Sequence, residues 1–301
     1  MEQQFTIDVP INGVTNQVQV IRQVVQGREA PRLVTVCYNV NSEMRDITRV
    51  CIQSIQRFTD TPYELWVVDN NSPQKYVDWL CQQPNINIIL NRTTPSMRKT
   101  RSMLEKLCMK RKKHTEQLSF GSYANAVGLE LAAKLIDPET HYMFVMHNDV
   151  LVCRTGWLSF LLSKLGGQVR GAAVSQSPAR VKVMHVSGFL FDFRLFNTLK
   201  MNFLPNMPHY DVGDLVSIRL RESGYEHYVC RNTFNHPQTC ELIPPTHPLR
   251  EMYCDRVFDD DGNMIYLHLG RGTPKAIGNY SKAGKTYPEQ WIRYADSYLL
   301  S

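Results

Sequence analysis

The sequence predicts an α/β protein with a mostly parallel central sheet flanked by helices. From Leu33 onward, apolar strands alternate with segments of helical periodicity, which is typical of strands joined by crossover helices. Three of these predicted strands end in polar residues, at positions 38–39, 69–71 and 147–149. Because ligands bind beyond the carboxyl ends of parallel strands, the three polar clusters predict a shared crevice.

The first elements support this class in chain order. Residues 1–31 read as an N-terminal appendage, because the alternation from Val14 to Val25 suits a strand or hairpin. The segment LVTVCYN predicts the first strand of the sheet. A helix follows, with apolar residues from Met44 to Phe58 on one face, and ELWVVDN completes a βαβ unit.

The next elements repeat the pattern. A short helix near residues 77–81 precedes the strand NINIIL, and a helix over residues 121–135 leads into the strand YMFVMHND. Residues 32–170 therefore form a predicted α/β half. From residue 171 to 301 the chain is richer in loops and aromatic residues, which predicts a second half with C-terminal loops.

A basic insertion over residues 92–118 interrupts the first half. Eight lysines and arginines between positions 98 and 113 are opposed by Glu105 alone, and Leu104, Leu107 and Cys108 share the spacing of one helix face. Two interpretations stay open: a solvated helix, or a surface that contacts an anionic membrane or an acceptor.

Composition and motifs indicate the cellular compartment and exclude one class of enzyme. The eight cysteines form no C-x-x-C pair, which indicates a reducing compartment, and no signal peptide or spanning segment is evident. We therefore expect a cytoplasmic protein, with peripheral membrane contact open. The net charge of +6 favours anionic partners. A dehydrogenase is excluded, because no G-x-G-x-x-G follows the first strand.

Over about residues 33–272 the motifs resemble GT-A glycosyltransferases of family 2 and related families. The resemblance implies that residues 32–170 are the nucleotide-binding half and that residues 171–301 are the acceptor-side half with C-terminal loops. LVTVCYN resembles the opening strand beside the nucleotide, which implies nucleotide contacts for Tyr38 and Asn39. ELWVVDNNS resembles the second strand, whose aspartate accepts hydrogen bonds from uracil, and this implies the same role for Asp69. A carboxylate suits that role because it only accepts hydrogen bonds and can therefore select the imide N–H of uracil. A turn or helix-cap role for Asp69 is the alternative.

FVMHND resembles the strand that carries the family's D-x-D metal motif. His147 occupies the position of the first aspartate and Asp149 that of the second, while Asn148 between them is assigned to the nucleotide sugar. YLHLGRGT resembles the late histidine loop, which makes His268 a metal-ligand candidate. An imidazole in the site favours Mn²⁺ over Mg²⁺ as the divalent metal. A polar turn is the alternative for His147 and Asp149, and a structural role for His268.

The same resemblance contributes further site candidates from three segments. In YLHLGRGT, Arg271 and Thr273 can donate to phosphate oxygens. SYANAVGLELAA implies that Asn125 lies near the nucleotide sugar, and VSGFLFDF implies the same for Ser187 and Gly188.

HYDVGDLVSIRLRESGY resembles the motif of the catalytic base and assigns that role to Asp214. Gly213 replaces the usual glutamate, so that acceptor contact is lost or supplied elsewhere. Locally, Asp214 also suits the N-cap of a helix that starts at Leu215, and both roles can coexist.

The resemblance implies an enzyme, a hexosyl- or N-acetylhexosaminyltransferase. It would transfer a sugar from a nucleotide-sugar donor, a UDP-sugar by preference, to a hydroxyl of a carbohydrate, lipid-linked or protein acceptor, with inversion. The rival hypothesis is a non-catalytic GT-A-like protein that binds nucleic acid or an anionic surface through the basic segment. The enzyme is favoured, because acidic or histidine residues occupy four scattered positions of the motifs: Asp69, Asp149, Asp214 and His268. A nucleic-acid partner is not expected.

Overall fold

A nine-stranded sheet with four parallel strands at its centre organises the chain. The structure is a computed structural model that describes residues 3–95, 113–173, 183–233, 242–270 and 286–301, with the side chains of 113–120 left out. Its strands are β1 (Gln3–Ile11), β2 (Val14–Arg22), β3 (Arg32–Cys37), β4 (Glu64–Asn70), β5 (Asn87–Asn91), β6 (Tyr142–His147), β7 (Val150–Val152), β8 (Val169–Ala173), β9 (Gly188–Asp192), β10 (Glu226–Val229), β11 (Arg231–Asn232), β12 (Asp255–Phe258) and β13 (Met264–His268).

The large sheet has the order β1-β2-β5-β4-β3-β6-β9-β8-β10. The neighbours β5, β4, β3 and β6 run parallel, as does the pair β8 and β10. The hairpin β1–β2 joins β5 in antiparallel orientation, and β9 lies antiparallel between β6 and β8. The predicted α/β class with a parallel centre is confirmed, whereas the sheet as a whole is mixed.

The helices of the described residues cover both faces of the sheet. They are α1 (Ser42–Phe58), α2 (Gln74–Cys81), α3 (Lys113–Leu135), α4 (Trp157–Ser163), α5 (Leu195–Thr198), α6 (Asp214–Glu222) and α7 (Pro288–Tyr294). Helices α3, α5 and α6 contribute to the apolar core on one face, and α1, α2 and α4 to the core on the other. All residues of β3 and β4 are therefore buried, as expected for central parallel strands.

A smaller antiparallel sheet, β11-β12-β13-β7, lies beside the end of β6. Leu151 of β7 and Leu267 of β13 pack in one apolar cluster with Met44 and Ile47 of α1 and Trp291 of α7. The small sheet thus packs against α1, the helix that follows β3. No helix in the described part of the chain is long and apolar enough to cross a membrane.

Candidate metal and nucleotide site

The register of the parallel strands brings the polar strand ends to one edge. Cys37 at the end of β3 pairs with Asp69 of β4, and Val36 pairs with His147 of β6. The residues that follow β3, β4 and β6 therefore leave the sheet side by side. This edge holds the three polar clusters that the apolar-to-polar boundaries of the sequence indicate.

Three potential metal ligands converge beside this edge: His147, Asp149 and His268. His268 Nε2 lies 3.2 Å from His147 Nδ1 and 3.4 Å from Asp149 Oδ1, and the latter two atoms are 3.9 Å apart. Ligands bound about 2.1 Å from one ion at angles of 90–110° are separated by about 3.0–3.4 Å. Two of the three separations lie in that range, so the side chains can share one ion with small adjustments.

The backbone holds these residues together although they are far apart in sequence. His147 ends β6, and Asp149 immediately precedes β7. His268 ends β13 opposite Val150 of β7, and the Leu269 amide donates to the Asp149 carbonyl oxygen at 2.9 Å. Pairing of β7 with β13 therefore fixes the cluster.

Asp255, which sequence reasoning missed, orients His268. Its Oδ2 atom lies 2.9 Å from His268 Nδ1, and the two residues pair across β12 and β13. Because an ionised carboxylate only accepts hydrogen bonds, the Nδ1 atom of His268 carries a proton. The other ring nitrogen, Nε2, faces Asp149. Such a carboxylate–histidine pair is the usual support of a metal-ligating imidazole.

The electrostatics of the cluster favour positive charge at His268. Burial lowers the pKa of this histidine, but the carboxylates of Asp149 and Asp255 more than offset that effect and raise the pKa to about 10. A proton or a metal ion at Nε2 would offset the negative charges of the same two carboxylates. The site is therefore built for a cation.

His185, also missed from sequence, lies against the same cluster. Its ring centroid is 6.1 Å from those of His147 and His268. The Ser187 amide donates to His185 Nδ1 at 3.2 Å, and the Ser187 hydroxyl lies 2.8 Å from the same nitrogen. Since Nδ1 accepts, the neutral ring carries its proton on Nε2 and can act there as a donor.

A buried hydroxyl connects two of the strand ends. Thr48 of α1 donates to Asn39 Oδ1 at 2.9 Å and accepts from Asn148 Nδ2 at 3.0 Å. Asn39 and Thr48 are fully buried. These bonds hold Asn39 and Asn148 in a structural network. Sequence reasoning missed Thr48, whose only signal is its position on the inner face of α1.

Asp69 closes the turn that follows β4. Its Oδ2 accepts from the Ser72 amide at 2.9 Å, and its Oδ1 accepts from the Ser72 hydroxyl. Burial raises the pKa of Asp69, while the two bonds from Ser72 lower it by less. The structure thus gives Asp69 the turn role that was its alternative, and its nucleotide role stays a prediction. Tyr38, by contrast, is exposed at the strand edge.

Asn125 lies on the part of α3 that reaches the end of β4. Asn70 Nδ2 donates to the Ala124 carbonyl oxygen at 2.7 Å, immediately before Asn125. One turn later, a Cβ at Gly128 would lie only 2.6 Å from a methyl carbon of Val36, so this glycine permits the close approach of α3 to β3. Asn125 therefore lies near the edge where the polar clusters meet.

Asp214 occupies the first turn of α6 and is buried. Its Oδ2 accepts from the Asp211 amide at 2.9 Å. The predicted N-cap role of Asp214 is wrong by one residue, because Gly213, with a φ of 77°, is the N-cap. A Cβ at Gly213 would contact Val186 and Phe189, so the start of α6 packs on the segment that carries Ser187.

The remaining predicted residues divide into two groups. The Ser187 carbonyl oxygen accepts from the His147 amide at 3.3 Å, which joins Ser187 to the cluster. Gly188 has a packing role, because a Cβ there would lie 2.6 Å from the Tyr266 hydroxyl oxygen. Arg271 and Thr273 lie outside the described residues, as does the basic segment of residues 98–113 except for the backbone of Lys113.

The donor set itself suits a metal ion. Imidazole nitrogens and carboxylate oxygens are both common ligands of divalent metals in proteins. The residues present therefore fit a divalent ion.

Comparisons with known proteins find similarity to solved structures. No protein-family model matches the chain, and no curated protein matches it. A similar solved structure is the mannosyltransferase PcManGT from Pyrobaculum calidifontis, in complex with GDP-Man and Mn²⁺. The two chains are 16% identical, with a TM-score of 0.45, and the match covers 91% of this chain and 70% of that one. A similarity of this level places the chain in no family.

Proposed function

We propose that the chain is an inverting glycosyltransferase that transfers a hexose or N-acetylhexosamine from a UDP-sugar to a hydroxyl acceptor. The observation that carries the proposal is the cluster of His147, Asp149 and His268 beside the carboxyl edge of the parallel strands. A cation site at that edge suits a diphosphate-bearing ligand. The motif resemblance independently assigns the same edge to a nucleotide sugar.

On the donor side, Tyr38, Asn39 and Asp69 hold the uridine. Asp69 can keep its bonds from Ser72 and still accept from the uracil imide, because a carboxylate has about four lone-pair sites. The other donor contacts in this proposal are Asn125, Asn148, Ser187, Gly188, Arg271 and Thr273.

The diphosphate lies against the metal cluster in this proposal. His147 Nδ1, Asp149 Oδ1 and His268 Nε2 would hold a divalent ion, with Mn²⁺ preferred, and that ion would neutralise charge on the diphosphate. Asp255 keeps the Nδ1 proton of His268 in place. The Nε2–H of His185 donates to an oxygen of the ligand bound beside the cluster.

On the acceptor side, in the half formed by residues 171–301, Asp214 acts as the base. The acceptor oxygen attacks the anomeric carbon, the bond from that carbon to the diphosphate breaks, and the hydroxyl proton moves to the Asp214 carboxylate. The products are the glycosylated acceptor and UDP. The packing of α6 against the segment of Ser187 supports a base on that side.

Ligand-induced thermal stabilisation tests the donor site. UDP, GDP, CMP and several UDP-sugars are compared with and without Mn²⁺, for the unaltered chain, Asp149→Ala, and the matched control Asp261→Asn on an exposed turn. A ligand at ~100 times its dissociation constant adds about 2.7 kcal/mol of stability, which gives a clear shift. We expect UDP-selective stabilisation that Mn²⁺ enhances and that Asp149→Ala weakens.

Two outcomes would overturn the proposal in different ways. Selective stabilisation by another nucleotide would show that a UDP-sugar is the wrong donor, while the proposal of a transferase would stand. Absence of stabilisation by every nucleotide, together with salt-dependent binding of nucleic acid, selects the rival binding protein. With a donor known, Asp214→Asn should abolish transfer and leave UDP binding intact, and retained transfer would remove Asp214 from the base role.

A further inference from the structure

The N-terminal hairpin has a long strand edge that no other strand of the described residues pairs with. β1 is the first strand of the nine-stranded sheet, and its nine residues have β2 as their neighbour on one side and no strand on the other among the described residues. Proteins usually shorten, charge or cover such an edge, because its unpaired backbone groups recruit further strands.

The register shows which backbone groups of β1 face outward. Gln17 of β2 directs its backbone toward β5: its amide donates to Thr93 Oγ1 and its carbonyl oxygen accepts from the Arg92 amide, both at 2.9 Å. Asp8 pairs with Gln17, so the backbone of Asp8 is not bonded to β2 and faces outward. By the two-residue period of a strand, Gln4 and Thr6 also face outward.

The side chains of the same strand leave an apolar surface uncovered. Phe5 and Ile7 are 46% and 42% exposed, whereas Val9 and Ile11, on the same face of the strand, are buried in the core. The apolar stripe therefore continues past the area that the described residues cover. An open edge and an exposed apolar pair coincide on one strand.

We propose that β1 pairs antiparallel with β1 of a second copy of this chain, with Thr6 on the two-fold axis. In this register Thr6 faces Thr6 of the second copy, and Gln4 faces Asp8 of the second copy. Each of these pairs can exchange two backbone hydrogen bonds. On the other face, Phe5 lies opposite Ile7 of the second copy, so the exposed apolar residues cover one another twice.

The sequence of β1 disfavours the registers that are shifted toward its C-terminal end. An axis through Asp8 would place two aspartates opposite each other, which is destabilising. An axis through Ile7 would place Pro10, which lacks an amide proton, opposite Gln4 in the ladder. With the axis on Thr6, Pro10 falls beyond the described ladder. This self-complementarity favours a second copy over an unrelated peptide.

The first test is the mass of the full chain in solution, measured by analytical ultracentrifugation from low to high micromolar concentration. We expect a reversible monomer–dimer equilibrium. Thr6→Pro removes one central outward donor from each copy while leaving the bonds to β2 in place, and it should weaken the dimer at least about tenfold. Thr6→Val keeps the amide and should leave the equilibrium unchanged. Circular dichroism checks that both variants fold.

A charge exchange tests the register. Phe5→Lys and Ile7→Glu alone should each weaken the dimer, because each places charge in the apolar contact. The double variant Phe5→Lys/Ile7→Glu faces opposite charges across the axis and should dimerise better than either single variant.

Cross-linking gives a readout that does not depend on dimer stability alone. Thr6→Cys places two thiols across the axis at a backbone spacing of about 5.5 Å, which a disulfide can span. It should form a disulfide-linked dimer under mild oxidation, whereas Gln4→Cys, on the same face of the strand, should not. A monomer at every concentration, or a dimer that Thr6→Pro leaves unchanged, overturns the proposal.

Discussion

Replacing Asp255 by alanine is expected to weaken binding of a divalent metal by about 10- to 100-fold, although Asp255 is not itself a ligand. The structural reason is its contact with His268: the carboxylate accepts the Nδ1 proton at 2.9 Å and thereby fixes which nitrogen faces Asp149. Without that acceptor the imidazole can rotate or exchange its tautomer. The expected loss corresponds to about 1.4–2.7 kcal/mol of binding free energy.

A second substitution separates the hydrogen bond from the charge. Asp255→Asn keeps an oxygen acceptor for the Nδ1 proton but removes the negative charge. Because the Asp255 side chain is 31% exposed, solvent already screens part of that charge. We therefore expect Asp255→Asn to lie near the tenfold end of the range and Asp255→Ala nearer the hundredfold end.

Titration calorimetry with Mn²⁺ measures these affinities without any assumption about the reaction. Asp261→Asn is the matched control, because it makes the same change in net charge in the exposed turn at the other end of the β12–β13 hairpin. The turn lies roughly 13 Å from His268, since a strand rises about 3.3 Å per residue. An unchanged Mn²⁺ affinity in Asp255→Ala would refute the orienting role. If His268→Ala also binds Mn²⁺ normally, the cluster is not a metal site.

Three further substitutions test the packing and chemistry of the site. Thr48→Val should lower the free energy of unfolding by about 1–3 kcal/mol in urea titrations, because two asparagines lose a buried hydroxyl partner, and an unchanged midpoint would contradict this. Gly188→Ala should lower the free energy of unfolding by about 1–3 kcal/mol in the same assay, because the new methyl group would clash with the Tyr266 side chain. Gly166→Ala is its control, since a methyl group there has no neighbouring atom within 4 Å. His147→Asp should increase Mg²⁺ affinity relative to Mn²⁺ in calorimetric titrations. The neutral variant His147→Asn is its control, and an unchanged ratio would remove His147 from the ligand set.

Hydrophobic patterning was sufficient to predict the parallel centre of the fold. β3 and β4 are buried on both faces and read as continuous apolar runs, and α1 shows its core-facing residues at helical spacing. The antiparallel position of β9 between β6 and β8 was not predictable in the same way. A short apolar strand carries no signal for its direction, which depends here on which neighbours it meets.

The candidate ligands were predictable from the motif resemblance, because His147 and Asp149 follow the apolar run of FVMHND and His268 lies in YLHLGRGT. Their support was not, since Asp255 reaches His268 only through pairing of β12 with β13. A signal for that pairing exists in the sequence: the turn DDDGN separates two short apolar segments, which is typical of a hairpin. His185 shows no such signal, because its place in the cluster depends on the path of the chain into β9.

The histidine at position 147 is compatible with the metal motif for a geometric reason. The atom that faces His268 is Nδ1, the ring nitrogen nearer the backbone. Nδ1 is bonded to Cγ, as are the carboxylate oxygens of an aspartate, so all of these atoms lie two bonds from Cβ. A histidine that uses Nδ1 can therefore place its donor about where an aspartate would place an oxygen, without any change in the course of β6. The replacement changes the charge and the softness of one ligand while keeping its position, which is why we expect it to alter the choice of metal and to preserve the site.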